Sequence, residues 1–226
     1  MSAIPKTAVP RIDLEPQRRV IQIDEWLLTP ERAAIHLPTA TAVIADLHLG
    51  YDLARCRSGD AVPTVSLEQQ WAPLNVLFSH QAISNLAIAG DLVEKGQGDQ
   101  MACLMRAWLH ERDVDLIGIV PGNHDASIAR DGTAPVFEAG FHVGNWLVVH
   151  GDKKLPAGNV ILGHHHPCIR WGRQLTAPCF LYRDGCLVLP AFSQDAAGGN
   201  VLGNRKWRGF QCFVIAGTKM VDFGEL

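Results

Sequence analysis

"TAVIADLHLG", residues 41–50, begins as an unbroken apolar run and stops at a carboxylate and an imidazole two residues apart. A short apolar run of this kind reads as a strand buried in a sheet. Asp46 and His48 then sit just past its end, where the chain enters a loop. The same pattern recurs downstream. "SNLAIAGD" (84–91) is a second strand that ends at Asp91, and "DLIGIVPGNHD" (115–125) is a third that runs into a turn carrying Asn123, His124 and Asp125. Between them lie two helical patterns. In "SLEQQWAPLNVLFSH" (66–80), Ser66 caps the start and Leu67, Trp71, Leu74 and Leu77–Phe78 form an apolar stripe, with Pro73 as a kink point. "GDQMACLMRAWLHE" (98–111) reads as a second helix. The earlier "DEWLLTPERAAIHL" (24–37) has the look of a hairpin feeding the same sheet.

The second half changes character. "NWLVVHG" (145–151), "NVILGHHHP" (159–167), "TAPCFLY" (176–182), "CLVLPAF" (186–192) and "FQCFVIAG" (210–217) are short β-rich runs separated by Gly, Pro and Asn. A βαβ half followed by a strand-rich half predicts two sheets packed face to face with helices outside.

The chain has 226 residues, 47% of them hydrophobic, and a formal charge of −3, which fits an ordinary globular protein with no global attraction for nucleic acid. No apolar stretch approaches the ~18 residues that span a bilayer. The segment "MSAIPKTAVPRIDLEPQRR" has no apolar core of a secretory signal. It reads as a flexible N-terminal segment, 1–20, before one domain, 21–226. The six cysteines form no C-x-x-C pair, which argues against a zinc ribbon and for reduced thiols in the cytoplasm.

Functional residues gather at the strand ends. Asp46, His48, Asp91 and Asn123 are joined by His150 of "VVHGD" and by His164 and His166 of "LGHHHP". Sites in open α/β sheets lie beyond the carboxyl ends of strands. Two Asp, one Asn and four His, with His124 left over, are too many donors for one tetrahedral zinc. They suit two divalent ions sharing a bridging carboxylate, and Asp91, alone on its strand, is the natural bridge. On an extended strand His164 and His166 share a face and His165 turns away. Pro167 restrains His166 toward the extended region.

Five fragments in this order, "DLH", "GD", "GNHD", the His of "VHG" and "GHHH", resemble the signature of the calcineurin-like metallophosphoesterases over residues 41–167. Within that superfamily "LLTPERAAIHL", "ADLHLGYD", "APCFLY" and "LVLPAF" are similar to the small bacterial ligase-associated DNA-damage-response phosphoesterases and their archaeal relatives. The resemblance implies an α/β, four-layer αββα sandwich of two mixed β-sheets flanked by helices. It implies a metal-dependent phosphoesterase, with two divalent ions: Mn²⁺ foremost, with Zn²⁺, Fe²⁺, Ni²⁺ or Mg²⁺ as alternatives. By the same carry-over, Asp46, His48 and His166 hold the first ion, Asn123, His150 and His164 the second, and Asp91 bridges them. His124 matches the family's non-ligand histidine at the leaving oxygen. Glu94 stands where related nucleases carry a histidine partnered with it, and Asp125 is either a second orienter of His124 or a brace for the turn.

For the substrate the resemblance implies nucleic acid in DNA repair, with a DNA ligase and a helicase as working partners. A small phosphomonoester, a cyclic nucleotide and a non-catalytic metal-binding scaffold are the alternatives. "IRWGR" (169–173) follows the metal loop directly, which makes Arg170 and Arg173 candidates for touching substrate. "NRKWRGF" (204–210) mixes basic and aromatic residues that can grip phosphates and stack on bases, or can simply be a protected hairpin edge.

Overall fold

The computed structural model describes residues 18–128, 132, 134–172, 175–196 and 198–226. Its first sheet has six strands in chain order: β1 (Ile21–Ile23), β2 (Trp26–Leu28), β3 (Ala34–His36), β4 (Thr41–Ile44), β5 (Asn85–Ala89) and β6 (Asp115–Val120). β1 to β4 pair antiparallel, so 24–37 is the expected hairpin. β4, β5 and β6 pair parallel. Their crossovers carry α1 (Tyr51–Arg57), α2 (Leu67–His80) and α3 (Gly98–His110). Ser66 and Gln69 form a reciprocal capping box at the start of α2, and Pro73 lies inside it. The buried face of α2 is Trp71, Leu74 and Leu77, as its stripe predicts.

The second sheet has nine strands. These are β7 (Phe141–Val143), β8 (Trp146–Val149), β9 (Val160–Leu162), β10 (Pro167–Trp171), β11 (Leu175–Arg183), β12 (Cys186–Val188), β13 (Gly199–Asn200), β14 (Gln211–Ala216) and β15 (Lys219–Glu225). Both sheets are mixed, and the two of them with three helices form the expected sandwich.

Pleating explains why β4 and β5 are apolar on both faces after their first residues, Thr41 and Asn85. Ala42, Ile44, Leu86 and Ile88 pack with Trp71, Leu74, Met105 and Leu109 of the helices, whereas Val43, Ala45, Ala87 and Ala89 turn to the second sheet. That inner face is small, and the second sheet fills it with Trp146, Ile161, Phe180 and Leu187. Phe180 is fully buried between the sheets, and burying such a side chain contributes about 1.5–3 kcal/mol.

The outer face of the second sheet is covered differently. Among the described residues no α-helix lies there. Instead Val201, Trp207 and Phe210 close over Val160, Leu162, Cys179, Leu181 and Cys212, around the one-turn 3₁₀ helix Arg205–Trp207. Trp207 and Phe210 are 7% and 5% exposed, so the aromatics of "NRKWRGF" are core and are not free to stack on bases. Residues 18–20 are held against the domain. Arg18 pairs with Glu31, and the main chain of Arg19 bonds Thr218 and Met220. The rest of that segment, 1–17, lies outside the described residues. No helix among the described residues is long and apolar enough to cross a membrane.

Candidate functional site

The loops after β4 and β5 run side by side. Asp46 N donates to Gly90 O at 3.0 Å, His48 N to Asp91 O at 2.9 Å, and Leu49 N to Leu92 O at 2.9 Å. These bonds fix Asp46 and His48 beside Asp91. The loop after β12 closes the other side, where Phe192 N and Ser193 N donate to Ala45 O and Asp46 O. It is tied in turn by Arg32, whose guanidinium donates to the carbonyls of Ala191 and Ser193. "TPER" and "LPAF", far apart in sequence, thus meet as one brace behind the site.

Asp46 is fully buried. Its Oδ2 accepts the His164 N–H at 2.7 Å and lies 3.4 Å from His166 Nε2. Asp46 Oδ1, His48 Nε2 and His166 Nε2 are buried and have no hydrogen-bond partner among the described residues. Asp46, His48 and His166 converge closely enough to share one ion, and so do Asp91, His150 and His164. In the second group His150 Nε2 is 3.0 Å from His164 Nδ1 and 3.2 Å from Asn123 Oδ1. Burial and the neighbouring His150 lower the pKa of His164, which disfavours its protonated form. Asp91 lies between the groups: its Oδ2 is 3.8 Å from His48 Nε2 and 3.6 Å from His150 Nε2. Its Oδ1 accepts the His124 main-chain N–H at 2.9 Å.

Several of these residues have a left-handed backbone. Asp46, His48, Asp91, His164 and His166 all have φ between 42° and 65°. Such conformations are uncommon for non-glycine residues and concentrate where side chains are aimed for function. They correct the reading of "HHH" as a strand. His166 is not extended, and His164 and His166 converge on Asp46 through two left-handed turns. His165 does turn away. Its ring meets Trp207 at 5.2 Å, its Nε2 is 2.9 Å from Lys206 Nζ, and burial followed by that ammonium lowers its pKa to about 4.

Glu94 touches both remaining histidines. Its Oε2 is 2.8 Å from His48 Nδ1, and its backbone carbonyl accepts from His124 Nδ1 at 2.9 Å. His48, Glu94 and His124 also cluster at ion-binding distance. We read Glu94 as the orienting residue of this group, because its carboxylate and carbonyl already engage the Nδ1 atoms of both rings. Burial lowers the His124 pKa, but the Glu94 carbonyl and the charges of Asp91, Glu94 and Asp125 outweigh it, and the net shift is upward.

Asp125 is not an orienter of the His124 ring. It is fully buried, and its carboxylate accepts the N–H groups of Leu92, Val93 and Gly122 at 3.1, 3.1 and 2.9 Å. It is the brace that joins the β5 and β6 loops. Arg170 donates to Gly198 O at 2.9 Å and is exposed on β10. Arg173 lies outside the described residues. Sequence reasoning missed Lys206 as a neighbour of the histidine triplet, since the two are forty residues apart and meet only through the outer layer.

A family model described as calcineurin-like phosphoesterase matches residues 40–189. No curated protein matches the chain. The crystal structure of the nuclease MPE of Pseudomonas putida is similar in fold, with a TM-score of 0.70 at 17% identity, covering 92% of this chain and 100% of that one.

Proposed function

Because the chain belongs to the calcineurin-like phosphoesterase family and is a metal-dependent phosphoester hydrolase, we propose that its substrate is a nucleic-acid phosphodiester, cleaved with two divalent ions, Mn²⁺ foremost. The observation that carries the two-ion reading is the Asp91 carboxylate, with one oxygen close to the orphaned His48 Nε2 of one donor group and to His150 Nε2 of the other. The donors are carboxylate, amide and imidazole without sulfur, which suits Mn²⁺, Fe²⁺ or Zn²⁺ over a structural thiolate site.

Asp46, His48 and His166 would hold one ion, Asn123, His150 and His164 the other, and Asp91 both. Bound there, the ions supply Lewis acidity toward the phosphoryl oxygens and lower the pKa of the attacking water. Glu94 keeps the proton of His48 on Nδ1, so that Nε2 faces the first donor group. The Glu94 carbonyl does the same for His124, whose Nε2 is then directed away from its anchor. A proton held on that Nε2 is available to the departing alkoxide.

Two features support a polymeric substrate. A groove of about 810 Å³ lined by Gly50, Arg57, Glu94 and Lys95 opens on the His48 side. Another, of about 660 Å³, opens on the His164 side. A substrate chain can therefore continue in both directions. The likeness to a nuclease of the same fold points the same way. The DNA-repair setting, with a DNA ligase and a helicase as partners, rests on the sequence resemblance. The test is a panel on purified protein with Mn²⁺: aryl mono- and diesters, cyclic nucleotides, and single- and double-stranded DNA. Cleavage of DNA and of aryl diesters is expected. Turnover of monoesters or cyclic nucleotides alone would replace this reading with the small-molecule one.

A further inference from the structure

We propose that Lys206, seated on His165 and Trp207, binds the phosphate next to the scissile one, so that the groove on the His164 side holds the flanking nucleotide of the substrate. This rests on the nucleic-acid reading above and adds a residue and a direction to it.

Lys206 is exposed, yet its ammonium has a defined seat. Nζ lies 2.9 Å from His165 Nε2 and 4.6 Å from the centroid of the Trp207 ring. His165 is itself packed edge-on against His164, ring centroids 5.2 Å apart. The cation therefore stands one side chain away from a candidate metal ligand. The 3₁₀ turn Arg205–Trp207 fixes it there, because Asn204 Oδ1 caps the turn by accepting the Lys206 N–H at 3.0 Å and Trp207 is anchored in the core.

No carboxylate among the described residues forms an ion pair with Lys206. Its two contacts are an imidazole and an indole face, and neither carries a formal negative charge when the ammonium donates to the imidazole. The positive charge is left for an anion to neutralise. Lys153 and Arg183 line the same groove, against Asp152 and Asp184, so three cations face two carboxylates. A polynucleotide presents a second phosphate one nucleotide from the bond being cut, whereas a monoester or a small aryl diester does not. The seat of Lys206, beside His164 and in a groove continuous with it, matches that second phosphate.

The experiment is binding of a fluorescein-labelled single-stranded oligonucleotide, read by anisotropy in EDTA across a salt series. K206M keeps most of the unbranched side chain and removes its charge. It is expected to bind about ten-fold more weakly at low salt, with a slope of log K against log salt shallower by about 0.7. K206R, which keeps the charge, is expected to keep the slope. Affinity and slope equal to wild type in K206M overturn the proposal. A loss of affinity with unchanged slope also overturns it, because Lys206 then acts through the packing of Trp207. Wild-type cleavage separates the two levels of inference. If the wild type cuts the oligonucleotide while K206M binds normally, only this proposal falls. If the wild type hydrolyses a bis-aryl diester but neither binds nor cuts DNA, the nucleic-acid reading falls and takes the proposal with it.

Discussion

His48 donates from Nδ1 to the carboxylate of Glu94 at 2.8 Å. The bond settles which ring nitrogen of His48 is free: Nε2, buried and without a hydrogen-bond partner, on the side of Asp46 and His166. Glu94 thus acts on the donor group through His48, and on His124 through a main-chain oxygen.

That division of labour predicts the behaviour of Glu94→Ala. Losing the carboxylate removes the orienting bond to His48 and is expected to weaken metal binding about 10–100-fold. The anchor of His124 is main chain and persists. Activity titrated with Mn²⁺ should therefore recover most of its wild-type value once metal is saturating. A defect that persists at saturation would place the carboxylate at the reacting atoms instead.

Asp91→Asn tests the bridge. Removing the charge shared between the two donor groups should lower occupancy of both sites, with activity falling in parallel. Elemental analysis after gel filtration reads this directly, and two ions at full occupancy would remove Asp91 from the bridging position.

Gly90 lies between these residues with φ +91°, and a Cβ built on it would sit 1.8 Å from His150 Nδ1. Gly90→Ala is therefore expected to push the His150 ring out of line and empty the second site while the first still binds. The left-handed backbone adds a stability cost of about 1–3 kcal/mol. One metal per chain and a lowered Tm are the expected readings, and two metals would show that the ring can yield without losing its ligand role.

Much of this geometry is legible in the sequence because β4, β5 and β6 are parallel neighbours. Apolar runs that end in Asp46, Asp91 and Asn123 must then deliver those side chains to one edge of the sheet. Other features are not legible because they depend on tertiary partners. The outward turn of His165 follows from left-handed residues on either side of it, and the alternation of a strand reaches the same outcome by a geometry the chain does not adopt. Trp207 and Phe210 sit in a basic run that resembles a nucleic-acid grip, but among the described residues no helix covers the second sheet, which uses them as its outer core. "YDLARCR" buries only Asp52 and so shows no apolar stripe, and the short α1 it forms follows Gly50 without a side-chain cap. The role of Asp125 lies in three N–H groups, two of them from residues more than thirty positions away.

That role makes Asp125→Ala a stability variant. Two buried N–H groups, of Leu92 and Val93, and the half-buried one of Gly122 lose their acceptor, at about 1–3 kcal/mol for each one that stays buried and unpaired. A drop of at least about 2 kcal/mol in urea unfolding is expected, larger than any effect on kcat measured on the folded fraction. A stable variant with kcat abolished would return Asp125 to the chemistry.

His124→Ala separates proton donation from metal binding. The main-chain N–H of His124 holds Asp91 Oδ1, and that contact survives loss of the ring, so both metals should stay bound. What is lost is the imidazole whose Nδ1 is fixed by the Glu94 carbonyl and whose Nε2 can carry a proton to the leaving oxygen. An alkoxide, as in DNA, is a poor leaving group and needs that proton. A nitrophenolate is stable enough to leave without it. The rate on DNA should fall about 10²–10⁴-fold, and the rate on bis-nitrophenyl phosphate far less. Measuring both substrates in wild type and variant, with metal content in hand, decides among three roles. An equal fall on both with metals retained would assign His124 to stabilising phosphoryl charge. Loss of a metal would make it a ligand, and the unequal fall makes it the general acid.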